Sequence, residues 1–192
     1  GAAFPLGAQT SLVGLREIAK LEAGQSVLIN GASGGLGLFA IQIARNIGVE
    51  VTAIAGPAGQ RIMSKLGATH VINYEETALS EIEGPYDAVL GLTKTARFKD
   101  VRHLLKPNRI YIPAEPQIEL ASFLQNPFRS QKVGYLFVDH GDASLLGELV
   151  KDVIDDRLTV GNYREFPFEE FEVAVEALKA PGRIGRVVLR LR

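Results

Sequence analysis

The sequence predicts an α/β protein with a doubly wound, parallel, six-stranded sheet covered by helices on both faces, in three layers. Short apolar runs typical of buried strands alternate along the chain with amphipathic helical patterns. A cluster of glycines directly follows the first of these strands. The 192 residues, 46% of them hydrophobic, suffice for one core with an appendage.

The elements follow one another in a regular order. After an N-terminal helix at 10–24, apolar runs bounded by turn formers predict strands at 26–31, 50–56, 70–74, 86–92, 108–114 and 132–139. Segments with an apolar face at helical spacing predict helices at 36–48, 59–67, 96–107 and 143–158. Right-handed crossovers between parallel strands then give the doubly wound sheet.

The last part of the chain departs from this alternation. Residues 163–192 read as strand, helix, turn and terminal strand. We therefore predict one domain over 1–162, which includes the N-terminal helix, and a small C-terminal strand-helix-strand segment over 163–192.

Composition excludes several classes of protein. The 21 Lys and Arg against 22 Asp and Glu give a net charge of −1, which argues against a nucleic-acid-binding protein. No apolar run is long enough to cross a membrane, and the N-terminus shows no signal peptide, so we expect a cytoplasmic protein. Cys is absent, and His70, His103 and His140 are scattered, so we expect no metal site.

The glycine cluster, GASGGLG from Gly31 to Gly37, resembles the G-x-G-x-x-G turn of dinucleotide-binding Rossmann folds. Ala32 takes the first glycine position, at the tight strand-to-helix turn. Gly34 leaves room for a pyrophosphate, and Gly37 allows close packing of helix on strand. The helix N-terminus offers free N–H groups to phosphates, and the Ser33 hydroxyl adds a donor. Its position between a strand and an amphipathic helix favours a dinucleotide site over a glycine-rich turn without a ligand.

The end of the second predicted strand bears on the choice of cofactor. An acid there usually binds the ribose hydroxyls of NAD, but that strand ends at Gly56 and residues 57–61 contain no acid. Arg61 or Lys65 can meet an adenosine 2′-phosphate, so NADP(H) is favoured over NAD(H). Tyr74 ends the third strand, where an adenine or phosphate would lie.

Two other groups of residues bear on ligand binding. Thr93 and Pro113 follow the fourth and fifth strands, and loops at strand carboxyl ends bind ligands in such sheets. The tail contains four arginines: Arg183, Arg186, Arg190 and Arg192. Outward positions on a terminal strand explain these arginines more simply than an anion site does.

Several separated motifs together resemble the cofactor domain of medium-chain dehydrogenase/reductases. They are PLGAQTSLVGL, AGQSVLINGASGGLG, LGATHVINY and GRIGRVVL, in family order over nearly the whole chain. The GASGGLG form is similar to the zinc-independent quinone oxidoreductase branch. The resemblance implies hydride transfer from NADPH to a quinone or α,β-unsaturated carbonyl in an intact protein. It also implies a GroES-like substrate domain that 163–192 would complete, and a homodimer through the sixth strand.

The resemblance also implies the residues that hold the cofactor. Thr10 lies near the nicotinamide, Tyr74 contacts the adenosine phosphate side, and four loop residues bind the pyrophosphate: Ser33, Gly34, Gly35 and Leu36. Three pairs line the cofactor cleft: Leu92 and Thr93, Pro113 and Ala114, Phe137 and Val138. The sequence identifies no catalytic residue.

Two alternative functions stay open at the level of sequence. The chain can be the enoyl-thioester reductase portion of a synthase, since that branch is similar. It can also be a dinucleotide-binding module without enzymatic activity.

Overall fold

The structure, a computed structural model, describes residues 3–94, 96–136, 142–161, 163–180 and 182–191. Its centre is a parallel sheet of six strands in the order β3-β2-β1-β4-β5-β6. The strands are β1 Ser26–Asn30, β2 Glu50–Ala55, β3 His70–Asn73, β4 Tyr86–Gly91, β5 Leu105–Pro113 and β6 Lys132–Val133. This order confirms the predicted doubly wound Rossmann fold.

Helices cover both faces of the sheet. They are α1 Pro5–Leu12, α2 Gly37–Ile47, α3 Gln60–Leu66, α4 Phe98–Val101, α5 Leu120–Leu124 and α6 Ala143–Ile154, and a π-helix at Val13–Ile18 extends α1. Single 3₁₀ turns occur at Pro57–Gly59, Leu79–Glu81, Arg102–Leu104, Pro116–Glu119, Asn126–Phe128 and Phe168–Glu170. None of the helices described is long and apolar enough to cross a membrane.

The core lies on both sides of the central strand. Val27 and Ile29 of β1 belong to one hydrophobic cluster, and Leu28 between them belongs to the other. All three side chains are fully buried, because successive residues of a strand face opposite sides of the sheet and helices cover each side. The continuous apolar run that predicted this strand is therefore explained by two-sided burial.

Two predicted helix ends are confirmed in detail. Gly48 ends α2 with φ of 90°, and Gly67 ends α3 with φ of 106°. Both values lie in the left-handed region, where glycine has no steric penalty.

The predicted helix over 96–107 is wrong in length. Only Phe98–Val101 is α-helical, a 3₁₀ turn follows, and β5 already begins at Leu105. Leu105 pairs with Tyr86 of β4. In addition, Lys106 precedes Pro107, and helical backbone dihedrals are disfavoured for a residue before proline. Residues 105–107, which the helical pattern assigned to a helix, therefore belong to β5.

Three other elements differ from prediction in their bounds, of which α6 ends at Ile154 instead of at residue 158. The N-terminal helix begins at Pro5, a favoured first helical position, and ends at Ile18, so the predicted range 10–24 is displaced. The sixth strand is two residues long, and 134–136 are not strand. The rest of that predicted strand, 137–139, lies outside the described residues.

The C-terminal segment, called the C-terminal unit below, contains the predicted strand, helix and terminal strand. Its elements are β7 Tyr163–Pro167, α7 Phe171–Lys179 and β8 Arg186–Arg190. The strands β7 and β8 pair in parallel, and α7 packs on them. A separate cluster fills the unit: buried Phe166, Ala174 and Ala177 with partly buried Val187 and Leu189.

Candidate functional site

The candidate site lies where the strand order reverses, between β1 and β4. The chain leaves β1 at Gly31, whose φ of 89° is left-handed. The tight turn expected at Ala32 is therefore made by Gly31, because alanine rarely adopts this backbone conformation. Ala32 is fully buried, and its N–H donates to the Ile54 carbonyl at 3.1 Å.

Two glycines of the loop have different surroundings. A Cβ on Gly37 would lie 2.5 Å from the Ala32 carbonyl oxygen, so this glycine allows α2 to pack against the turn, as predicted. A Cβ on Gly34 would meet only the Gly31 carbonyl oxygen, at 3.3 Å. A side chain at Gly34 would therefore project into the neighbouring cavity instead of into the core.

This cavity, the loop cavity, has a volume of about 340 Å³. The glycine loop and Leu92 form one wall, and the C-terminal unit forms the other. Its lining residues are Gly31, Gly34, Gly35, Leu36, Gly37, Leu92, Leu178, Arg183, Arg186 and Val187. The predicted residues Gly34–Gly37 and Leu92 are thus brought together, whereas Ala32 and Ser33 do not line this cavity. The second wall was missed.

The C-terminal unit contacts the loop directly. The Gly185 N–H donates to the Ser33 carbonyl at 2.8 Å, and Gly34 and Gly185 form a parallel β-bridge. The Arg186 side chain lies against Gly35, where a Cβ would be 2.5 Å from its Cγ. Glycine at position 35 therefore makes room for this arginine.

Arg186 is a cation without a counterion among the described residues. Its guanidinium also lies against Gly7 of α1, and its Nε is buried without a hydrogen-bond partner in the described structure. Burial and then the charge of Arg183 lower the pKa of Arg186. Because arginine stays charged in proteins, this environment favours an anion beside the glycine loop.

This geometry corrects the interpretation of two of the four tail arginines as outward-facing residues. Arg183 precedes β8 and Arg186 begins it, and both face the loop cavity instead of only solvent. Arg190, by contrast, is exposed and pairs with Glu165 at 3.3 Å, as outward positions require. The glycines of GRIGR, Gly182 and Gly185 with φ of 67° and 73°, were the available signal for a special turn.

A second cavity, the β3-side cavity, has a volume of about 510 Å³ and mainly apolar walls. Its lining residues are Asn30, Ile54, Tyr74, Thr77, Leu79, Ile82, Thr93 and Gly182. Tyr74 and Thr93, two residues predicted separately as cofactor contacts, both line this cavity. Thr77, Leu79 and Ile82 were missed, since nothing in their local pattern marks a cavity wall.

At the end of β2, Gly56 is covered by an aromatic ring. A Cβ on Gly56 would lie 2.7 Å from the Tyr74 hydroxyl oxygen. Tyr74 is half exposed just beyond β3, and Arg61 is exposed in the first turn of α3. An aromatic hydroxyl and a nearby cation thus stand where an acid is absent.

Two of the remaining predicted residues, Pro113 and Ala114, lie at the carboxyl end of β5. Thr10 is half-buried on α1, Pro113 ends β5, and the Ala114 N–H donates to the Gly91 carbonyl at 2.8 Å. Phe137 and Val138 lie outside the described residues.

The histidines show no metal site in the described part of the chain. No group of three or more His, Asp or Glu residues is placed to hold a metal ion there. His70 pairs with Glu50 at 3.1 Å and His103 is exposed, while His140 lies outside the described residues.

The fold and the glycine loop at its switch point define a Rossmann-type domain. The family model described as zinc-binding dehydrogenase matches residues 66–189, more than half of the chain. The chain therefore belongs to this family, within the medium-chain dehydrogenase/reductases.

Individual relatives agree with this assignment. A zinc-type alcohol dehydrogenase-like protein of Schizosaccharomyces pombe is 27% identical over 203 residues, 99% of this chain and 58% of that protein. Erythronolide synthase EryA2 of Saccharopolyspora erythraea is 29% identical over 201 residues, 98% of this chain and 6% of the synthase. The quinone oxidoreductase from Coxiella burnetii superposes with a TM-score of 0.85 at 27% identity, covering 100% of this chain and 60% of that one.

The chain spans only part of these relatives. It covers 58% of the dehydrogenase-like protein and 60% of the solved quinone oxidoreductase. The relatives thus contain substantial chain beyond the matched part.

Proposed function

We propose that this chain is the NADP(H)-binding domain of a reductase. The observation that carries the proposal is the loop cavity, which has the glycine loop and the α2 N-terminus on one wall and the unpaired Arg186 guanidinium on the other. Backbone N–H groups, a helix dipole and a guanidinium all favour the same ligand group, a pyrophosphate.

The dinucleotide would extend in both directions from this cavity. The β3-side cavity, with its apolar wall and Tyr74, suits an adenosine. The nicotinamide half would then lie toward the carboxyl ends of β4, β5 and β6, where Thr10, Pro113 and Ala114 are the candidate contacts. When bound, the cofactor supplies a hydride, and the residues of this chain bind and orient it.

The choice of NADP(H) over NAD(H) rests on the end of β2. Residues 57–61 contain no acid to repel a 2′-phosphate, the Tyr74 hydroxyl lies near Gly56, and Arg61 follows in the first turn of α3. Titration of the chain with NADPH and with NADH by calorimetry tests both points. We expect tighter binding of NADPH; no binding of either cofactor would contradict the whole proposal, and tighter NADH would contradict the choice.

The reaction we propose for the intact protein is reduction of a quinone or an α,β-unsaturated carbonyl. It is supported by the similarity to the Coxiella burnetii quinone oxidoreductase. We propose that this reaction needs no zinc. Steady-state assay of the intact protein with a quinone, before and after chelation and metal analysis, tests both statements; a loss of activity that zinc restores would contradict the second.

A second candidate is reduction of an enoyl thioester within a synthase. The observation that favours it is the similarity to erythronolide synthase EryA2 over 98% of this chain. Comparing a carrier-bound enoyl thioester with a free quinone as substrates of the intact protein separates the two candidates.

We propose that residues 1–162 form the dinucleotide domain and that 163–192 complete a separate substrate domain. A two-stranded parallel sheet is marginal alone, and the edges of β7 and β8 away from each other are unpaired in the described sheet. Phe168 and Phe171 are also more than half exposed. Limited proteolysis of the intact protein should leave this unit protected with the substrate domain; its rapid release would oppose the assignment.

A homodimer through the sixth strand remains our proposal for assembly. β6 has a strand neighbour on one side only, and Leu124, Phe128 and Tyr135 near it are exposed. Light scattering of the wild type and of Phe128→Glu tests this, with Leu6→Glu as an exposed control on α1. We expect a dimer that only Phe128→Glu dissociates.

A further inference from the structure

The amide of Gln9 links two distant parts of the molecule. Gln9 is buried on α1, and its Nε2 donates to the Asp142 carbonyl at 2.6 Å. The two residues are 133 positions apart. The Asp142 carbonyl also accepts the N–H of Leu146 at 2.9 Å, in the first turn of α6. Gln9 therefore adds a bond to a carbonyl that α6 already satisfies.

Asp142 directly precedes α6, the helix that follows β6 in the chain, and a helix that follows a strand of a parallel sheet begins on the side of the strand carboxyl ends. The chain reaches it after β6, and its carboxylate caps α6 by accepting the N–H of Ser144 at 2.7 Å. Since adenosine would occupy the β3 side, this is the end of the edge that a nicotinamide would occupy.

A second bond fixes α1 to the glycine loop. The Ser11 hydroxyl shares its one proton between two carbonyl oxygens, that of Leu36 at 3.0 Å and that of Gly7 at 2.8 Å. Thr10 thus stands between two anchored residues, one held by the loop and one by the start of α6. Thr10 is itself half-buried, and its hydroxyl makes no hydrogen bond to another residue that the structure describes.

We propose that Gln9 is a positioning residue for the nicotinamide half of the cofactor. Its bond to Asp142 sets the distance between α1, which carries Thr10, and the β6 end of the sheet edge. The inference rests on the proposed dinucleotide site and deepens it, since it separates the residues that serve the two halves of the ligand.

The test compares NADPH with 2′-phospho-ADP-ribose, the same molecule without its nicotinamide. In the wild type we expect NADPH to bind more tightly than this fragment. Gln9→Met keeps the side-chain length and removes the donor; it should weaken NADPH binding about five- to tenfold and leave the fragment unchanged. The emission shift of bound NADPH should fall in parallel.

The matched control is Gln42→Met. Gln42 is also buried, and its Nε2 donates to the Leu38 and Thr159 carbonyls at 3.0 and 3.2 Å, neither of which belongs to α1 or to the start of α6. This variant should lower the melting temperature and leave the ratio of the two affinities unchanged. Gln9→Asn, whose amide is too short to reach Asp142, should reproduce the selective loss if Gln9→Met does not fold.

The outcomes distinguish a failure of the proposed function from a failure of the positioning role of Gln9. A wild type that binds neither ligand overturns the proposed function. A wild type that binds both, with Gln9 variants that keep the affinity ratio or weaken both ligands equally, overturns the positioning role alone.

Discussion

Within the glycine loop, Gly34 and Gly37 differ in what a side chain would meet. At Gly34 a Cβ meets one carbonyl oxygen at 3.3 Å and then open cavity, whereas at Gly37 it meets the Ala32 backbone at 2.5 to 2.7 Å. Gly34 therefore leaves space for a ligand, whereas Gly37 allows α2 to pack closely against the turn at Ala32.

This contrast gives the first prediction. Gly34→Val should abolish NADPH binding with a melting temperature close to that of the wild type, because its side chain fills the loop cavity. Gly37→Ala should cost about 1–3 kcal/mol of stability through overpacking. Calorimetric titration and thermal unfolding of both variants measure this; unchanged affinity in Gly34→Val would place the pyrophosphate elsewhere.

Arg186 leads to a second prediction. Arg186→Met keeps an unbranched side chain against Gly35 and Gly7 but removes the charge, so NADPH affinity should fall about 10- to 100-fold, the value of a charged hydrogen bond. The control is Arg190→Met. Arg190 lies on β8, as Arg186 does, but it is already paired with Glu165 of β7, so this variant should bind NADPH normally. Titrations at two salt concentrations should show a weaker salt dependence only for Arg186→Met.

Among the elements, three central strands share one buried carboxylate. Asp87 of β4 is 3% exposed and accepts the Ser26 N–H of β1 at 3.0 Å. On β5, the Lys106 ammonium lies 2.6 Å from one of its oxygens, and the Arg109 guanidinium lies 2.9 Å from the other. Burial works to raise the pKa of Asp87, but the bonds and charges of Lys106 and Ser26 outweigh it and lower the pKa.

A depressed carboxylate pKa makes stability depend on pH. The stabilisation from Asp87 is present above its unfolded pKa and is lost as pH falls through the lower folded value, below about pH 4. Asp87→Asn should cost about 1–3 kcal/mol at pH 7 and should flatten the acid side of the stability curve. Urea unfolding of both proteins at pH 7 and pH 3 measures it; parallel curves would contradict the role of Asp87.

Prediction of the elements succeeded where local and tertiary signals agree. Strand β1 and helix α2 are flanked by turn formers and buried as their patterns require. It failed at residues 105–107, because the helical pattern there is local while the pairing of Leu105 with Tyr86 is not. Strand β6 was predicted too long for the same reason, since pairing with β5 decides its length.

Over the whole molecule, the C-terminal unit contacts the rest of the chain at the glycine loop, at Gly7 of α1 and through Ile184 on the main core cluster. The Gly185–Ser33 hydrogen bond and the packing of Arg186 on Gly35 are its main described contacts with the loop. A ligand that bridges the loop and Arg186 should therefore stabilise the attachment by mass action.

Amide hydrogen exchange measures this linkage. With saturating NADPH, exchange should slow in β8 and at Gly185, as well as in the glycine loop. The amides of Arg102–Leu104, which precede the start of β5 and so lie away from the strand carboxyl ends, serve as the internal reference. Slower exchange in the loop with no change in β8 would show that the C-terminal unit takes no part in binding.

The sequence by itself determined the fold class, the place of the glycine loop and half of the candidate site. These are properties of short segments: apolar runs, glycine stops and the spacing of one turn. Only the tertiary structure decided that Gly31 makes the turn, that Arg183 and Arg186 face the loop, and that Gln9 reaches Asp142. The physical reason is that each of these depends on which distant segments meet, and a local pattern does not record which neighbour a side chain will have.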